Sequence, residues 1–465
     1  MTSKDSDLRD LEKNQPIGNA DSNSNGIQNL TSRYSNHDSK ELNETVHLID
    51  EEIEFPEGGW EAYKVVAGGF FTLMITFGLM NTIGAIQAYL TNHQLKNESS
   101  STIGWTFSIH YLVAYAFCLI AGPLFDWKGG RLCAIIGSIL LVAGLFITAN
   151  CDEVYQILLA YGFIVGSGTC LLYTSGLGAV SHYFKRKRAT ALGISSLGGS
   201  VGGVVWPLML RQLYPKIGYV WSMRVLALCC GICASLACLS VKSRLKKQKE
   251  DVIIEKNPIK FMNSSLALRD LFKEKRFLYL TFSIFFCEFS LLMVMTYITS
   301  YTIHQGYSES QGFLVLIILN AIGLLGRVIP KYLGDVYGSF NIMIATVGSC
   351  AIFILAIWLP FGHNLSVLYA FAGLYGFSSS STLSLTPVTC GQISRTEDFG
   401  KRYGTVYFIS SFGNLLALPI GGALIKDGPN GFQNFIILAG VTEVVSVVFF
   451  ILARYECVGM KWAKI

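Results

Sequence analysis

Several ionisable residues lie inside long apolar stretches of this sequence. Glu288 sits in FFCEFS, Arg327 in GLLGRVIP, His110 in IHYL and Glu443 in VTEVV. A charge in low-dielectric surroundings is costly, so each needs a partner or a task. Glu288, the deepest acid, has the chemistry to bind the polar groups of a solute, to carry a proton, or to pair with Arg327; these alternatives stay open. Arg327 precedes Asp335 by eight residues, about 12 Å along a helix. It belongs either to a binding cavity or to a charge cluster at the helix ends. His110 and Glu443 read as interhelical hydrogen-bonding groups. The amides Asn81, Gln87, Asn320 and Asn414 are also set in apolar runs. Buried amides require partners, and a solute can be one. The candidate solute-binding residues are therefore Asn81, Gln87, Glu288, Asn320, Arg327 and Asn414.

A second group reads as mechanical. GPLFDWKGGR (122–131) ends one apolar run and opens the next. Gly129 and Gly130 permit a tight turn with positive φ. Asp126 and Arg131, with Asp335 in the similar stretch LGDVYGS (333–339), form a candidate gating clamp between helix ends. The alternative is a static surface salt bridge, worth little. In GISSLGGSVGG (193–203), Gly198 pairs with Gly202 and Gly199 with Gly203 at small-xxx-small spacing. Such spacing lets helix backbones pack closely, whether the contact slides or stays fixed.

Other chemistry finds little support. Cys230-x-x-Cys233 has a metal or redox spacing but no second ligand pair. In an apolar helix a cysteine behaves as a small apolar residue. The chain has no H-E-x-x-H, P-loop or Cys/His ligand set, so no enzyme, metal or cofactor is expected. Without a nucleotide-binding domain, an ATP-driven pump is excluded. The basic run Lys185–Arg188 lies between two apolar runs and reads as a retention signal at the membrane's inner face, so no nucleic-acid partner is expected.

The elements that position these residues follow from composition. Of 465 residues, 51% are apolar and only 14% charged, against about 25% charged in a soluble domain. Mean hydropathy is +0.45. Apolar runs of bilayer-spanning length follow one another from Lys64 onward. Twelve spans are expected, at 64–90, 103–124, 132–149, 155–180, 189–210, 219–241, 277–303, 311–331, 340–360, 366–389, 403–425 and 432–454. The runs are long and continuously apolar, which implies helices rather than the short alternating strands of a barrel. Residues 1–54 are polar, lack a signal peptide's apolar core, and read as a disordered tail.

Lys and Arg are concentrated in the connections on the side of that tail, eleven of them in the segment Lys242–Arg276. By the positive-inside rule both termini are cytoplasmic. The expected organisation is a tail at 1–54, a six-helix half at 55–241, a basic linker at 242–276, a second half at 277–455 and a short tail at 456–465. The linker is read either as a plain solvated connection or as a contact for anionic lipid heads.

The halves echo one another. ISSLG (194–198) and ISSFG (409–413) lie 215 residues apart, and LFDWKGG and LGDVYGS lie 209 apart. Pro207 and Pro419 fall in corresponding spans. Several matches in one order indicate a repeat. Parallel repeats place a solute site near the bilayer midplane, between the halves.

With that layout, GPLFDWKGGR resembles the loop between spans two and three of the major facilitator superfamily. FPEGGWEAYKVVAG (55–68) is similar to the start of span one in its monocarboxylate-transporter-like branch, and RATALGISSLGGSVGGVVWP (188–207) to span five. WLPFGHNLS, PVTCGQISRTEDFGKRYGTVYF and YECVGMKWAKI resemble the fungal riboflavin-transporter group of that branch. The resemblance covers about residues 55–465. It implies an all-α membrane protein of twelve helices in two pseudo-symmetric halves, working by alternating access. It further implies a small-molecule substrate, a plasma-membrane location, no cofactor and one chain as the functional unit. Two positions depart from the branch's proton-linked lactate carriers: Asn81 stands where they have a Lys, and Gly323 where they have an Asp. Three readings remain: a carrier of riboflavin or a related compound, a proton-coupled monocarboxylate carrier, and a nutrient sensor that binds without net flux.

Overall fold

The computed structural model describes residues 57–184, 188–241, 266–394, 399–426, 428 and 430–459. The tail at 1–54, most of the basic linker and most of the run at 185–188 lie outside them. Among the described residues, ten helical segments are long and apolar enough to cross a membrane. One of these, Thr190–Ser240, is two spans joined at a kink, and the 28-residue Leu365–Gln392 completes twelve. Its serine-rich stretch Ser378–Ser381 lowers its apolarity without ending the helix, and Ser378, Ser379 and Ser381 are buried.

Span one is Trp60–Asn92. Span two is Ser100–Ala116, continued after a break at Phe117 by Cys118–Lys128. Spans three and four are Gly130–Thr148 and Val154–Ser181. Spans five and six share Arg188–Ser240. Spans seven to nine are Lys275–His304, Glu309–Tyr337 and Ser339–Phe361. Spans ten to twelve are Leu365–Gln392, Phe399–Lys426 and Gly431–Val458. An even number of spans puts both termini on one face, here termed the terminal face.

The caps follow from local sequence. The Ser99 hydroxyl accepts from the Thr102 amide, and Ser308 with Gln311 forms a reciprocal capping box. Gly129 and Gly338 turn the chain between spans two and three and between spans eight and nine, with φ of 87° and 95°. Only glycine adopts this backbone without strain. The matched pair is the repeat expressed in backbone geometry.

Some expected boundaries differ. Gly130 does not take positive φ; it opens span three, held against the Phe125 ring. The connection expected at 211–218 is helical as far as Gly218, whose φ of 71° makes the turn alone. Its polar residues read as a loop, but a helix needs only backbone hydrogen bonds to continue past the apolar layer. Span two is broken where a continuous helix was expected. Span seven starts inside the expected linker, which also contains a short helix, Leu268–Lys273.

Span five packs against span one in its own half and span eight in the other. Span eleven packs against span seven in its own half and span two in the other. Spans one and seven also meet directly. The interface between halves thus obeys the pseudo-symmetry of the sequence.

Candidate functional site

A narrow cleft lies between the halves. Span one lines it with Phe77, Met80 and Asn81, and span two with Tyr111 and Tyr115. Span seven adds Glu288, Leu291, Leu292 and Met295, and span ten adds Leu383. Three aromatic rings, one amide and one carboxyl thus face a largely aliphatic wall. Among the described residues, no lysine or arginine lines it. Glu288 is 5% exposed, its Oε1 has no hydrogen-bond partner, and it makes no ion pair with Arg327. The pairing alternative is therefore not realised.

Two of the six residues expected to bind solute, Asn81 and Glu288, meet at this cleft. Arg327 and Asn320 line a different contact, where span eight crosses the glycine run of span five. Arg327 donates through Nη1 to the Ser196 carbonyl at 2.8 Å, across the two halves. Asn320 donates to Leu316 in its own helix, and its Oδ1 lies against Gly203. The Asn81 amide donates to the Gly199 carbonyl at 3.3 Å. Gly198 and Gly202 face the backbone of span one; Gly199 lies between Phe77 of span one and Arg327, and Gly203 between Asn81 of span one and Asn320. One face of the run therefore packs on span one, and the other on span one and on span eight of the second half.

Gln87 and Asn414 are elsewhere. Both are buried, and neither side-chain amide has a hydrogen-bond partner. His110 donates through Nδ1 to the Tyr161 carbonyl, linking spans two and four. The Cys287 thiol lies 3.7 Å from Glu443 Oε1, linking spans seven and twelve. Sequence reasoning missed Phe77, Tyr111 and Tyr115. The available signal was the i, i+4 tyrosine pair in YLVAY, which puts both rings on one helix face.

The sequence was compared with known proteins. The model of the Major Facilitator Superfamily matches residues 65–362. The chain belongs to the major facilitator superfamily. It is 39% identical over 443 residues to the riboflavin transporter MCH5 of Saccharomyces cerevisiae, covering 92% of this chain and 84% of that one. It is 29% identical to the aspyridones efflux protein apdF of Emericella nidulans, covering 85% and 78%. The solved nucleoside transporter NupG shares the fold with a TM-score of 0.65, at 14% identity, over 86% of this chain and all of that one.

This major facilitator protein is thus a multi-pass membrane transporter, and its halves are closed on the face opposite the termini. His93 Nε2 lies 2.7 Å from Glu309 Oε1, and Arg211 donates to Ser310 Oγ at 2.6 Å. Ser101 donates to the Pro419 carbonyl at 2.8 Å. A side chain at Gly84 would meet the Met295 carbonyl, and one at Gly422 the Ser100 backbone.

The candidate clamp residues lie on the terminal face. Arg131 and Asp335 are exposed there, and neither forms an ion pair among the described residues. The side chain of Asp126 is outside those described. Residues 198–202 also spell G-x-S-x-G, the pattern of a nucleophile elbow. Here it lies within a helix rather than at a strand-to-helix turn, and Ser200 Oγ has no hydrogen-bond partner.

The ion-pair cluster that does form on the terminal face was not anticipated. Arg402, at the start of span eleven, is 4% exposed and binds both oxygens of Glu274, at 2.6 and 3.0 Å. Asp270 lies 3.7 Å away, and the Ala267 amide donates to Thr405. The short linker helix is thereby fastened to spans seven and eleven. The Arg402 hydrogen bonds hold the Glu274 carboxyl below the usual range. That stabilisation is present above the ordinary carboxylate pKa and is lost as pH falls through the depressed value. Glu274→Gln is expected to lower the melting temperature of the purified protein at pH 7 and to narrow the gap from the parent on acidification. Equal melting at pH 7 would show that the cluster contributes nothing to stability.

Proposed function

We propose that this protein carries a flat, largely uncharged aromatic solute, riboflavin or a close relative, across the plasma membrane. It works by alternating access, with both termini cytoplasmic and the chain acting as a monomer. The observation that carries this reading is the wall of the central cleft. It offers aromatic rings to a planar ring system, and Asn81 and Glu288 to polar substituents. A monocarboxylate requires a cation, and none lines the cleft. The buried arginine nearby, Arg327, is not among the cleft-lining residues and donates through Nη1 to the Ser196 carbonyl. The likeness to a yeast riboflavin transporter supports the same substrate class.

Competition uptake tests the reading directly. Radiolabelled riboflavin is supplied to proteoliposomes, with and without a proton gradient, against an excess of unlabelled riboflavin or lactate. Saturable uptake inhibited by riboflavin and unaffected by lactate is expected. Inhibition by lactate, with dependence on the proton gradient, would support the monocarboxylate reading instead. Binding without flux would identify a sensor.

A further inference from the structure

The terminal side of the cleft is closed differently from the opposite side. Tyr115 is the last cleft-lining residue of span two before its break at Phe117. Its ring lies 5.4 Å from that of Tyr407 in span eleven, across the two halves. Tyr407 in turn lies 4.9 Å from Tyr403, one turn nearer the terminal face. Tyr173 of span four approaches Tyr403 from the first half. Four tyrosines, two from each half, thus form a layer beneath the cleft.

A side chain added at Gly122 in span two, or at Gly404 in span eleven, would meet nothing within 4 Å. The end segment of span two packs only on spans of its own half among its main contacts. The opposite face, in contrast, is joined by short hydrogen bonds and by direct backbone contact. Aromatic pairs contribute only about 0.5–1.5 kcal/mol each beyond their buried area. The tyrosine layer closes the side of spans two and eleven, and the Arg327–Ser196 bond closes the side of spans five and eight.

We propose that Tyr115, Tyr173, Tyr403 and Tyr407 are the gate between the central cleft and the terminal face. The proposal rests on the reading of that cleft as the substrate site. The rings also give the gate a preference. An aromatic solute leaving the cleft meets ring faces and phenol hydroxyls, so it offers each parting ring a new partner.

The test needs no known substrate. A cysteine-depleted protein carrying Met80→Cys as a reporter in the cleft is reconstituted, and a hydrophilic thiol reagent is applied to the terminal face. Adding Tyr115→Ala and Tyr407→Ala together is expected to speed labelling about tenfold, the change for a barrier lowered by one factor of ten in rate. Tyr115→Phe with Tyr407→Phe keeps the rings and is expected to leave the rate unchanged; its melting temperature, compared with the alanine pair, controls for folding. Equal labelling in the alanine pair and the parent would overturn the gate. If the alanine pair does not fold, the milder single variant Tyr407→Leu decides on the same criterion. Riboflavin flux through the unsubstituted protein is measured separately. A gate that responds without such flux leaves the gate standing and removes the substrate.

Discussion

Gly202→Val is expected to abolish the folded protein. A Cβ at this position would clash with the Met74 carbonyl oxygen and lie 2.7 Å from the Gly78 Cα. Both are backbone atoms of span one, so no rotamer change relieves the contact. Spans one and five would have to separate along their length. Overpacking usually costs about 1–3 kcal/mol, and a contact with unyielding backbone belongs at or above the upper end. The measurement is the yield of monodisperse protein in detergent, with its melting temperature. Gly193→Ala is the control, because only the flexible tip of Lys331 lies near that site, at 3.8 Å. Replacing an unconstrained helical glycine by alanine is neutral or stabilising, by up to about 1 kcal/mol. Normal yield from Gly202→Val would mean that the two helices are not in contact at this point.

Glu288→Ala is expected to cut transport at least about tenfold, the loss of roughly 1.4 kcal/mol of selective interaction, while leaving the fold intact. Glu288 Oε1 makes no hydrogen bond, so its removal breaks none there. A carboxyl in apolar surroundings is itself a cost, and the alanine variant should melt no lower than the parent. Loss of function without loss of stability marks a binding group. Glu288→Gln keeps the size and the hydrogen-bonding capacity and is expected to transport within about threefold of the parent. If glutamine is as damaging as alanine, the carboxylate or its proton is needed, and Glu288 acts by its charge or as a proton carrier rather than as a neutral hydrogen-bonding group. Unchanged transport in the alanine variant would remove Glu288 from the site.

Much of the frame was legible because it rests on local chemistry. Apolar run lengths mark spans, and the glycines at 129 and 338 mark turns that only glycine makes without strain. The run GISSLGGSVGG announced close helix packing through its spacing. What each glycine would touch was not legible. Gly198 and Gly202 meet span one, while Gly199 and Gly203 meet both span one and span eight. One residue along a helix is a rotation of about 100°, enough to add a contact with the other half. The break at Phe117 was missed because it does not change the apolar pattern around it, and the turn at Gly218 was read as a longer loop because of the polar residues before it.

The binding groups divide in the same way. Asn81, Glu288, Asn320 and Arg327 were all legible as costly groups that needed partners. That requirement comes from transferring a polar side chain into an apolar medium, and it holds whatever the fold. The sequence by itself therefore determined a twelve-helix, two-half transporter and the short set of polar residues that its interior must satisfy. Only the tertiary structure decided which partners they have. It put Asn81 and Glu288 beside a shared cleft, Arg327 on the Ser196 carbonyl, and the unannounced rings of Tyr111 and Tyr115 in the wall. The reason is geometric: composition sets what a membrane helix must bury, but its neighbours set its rotation and depth.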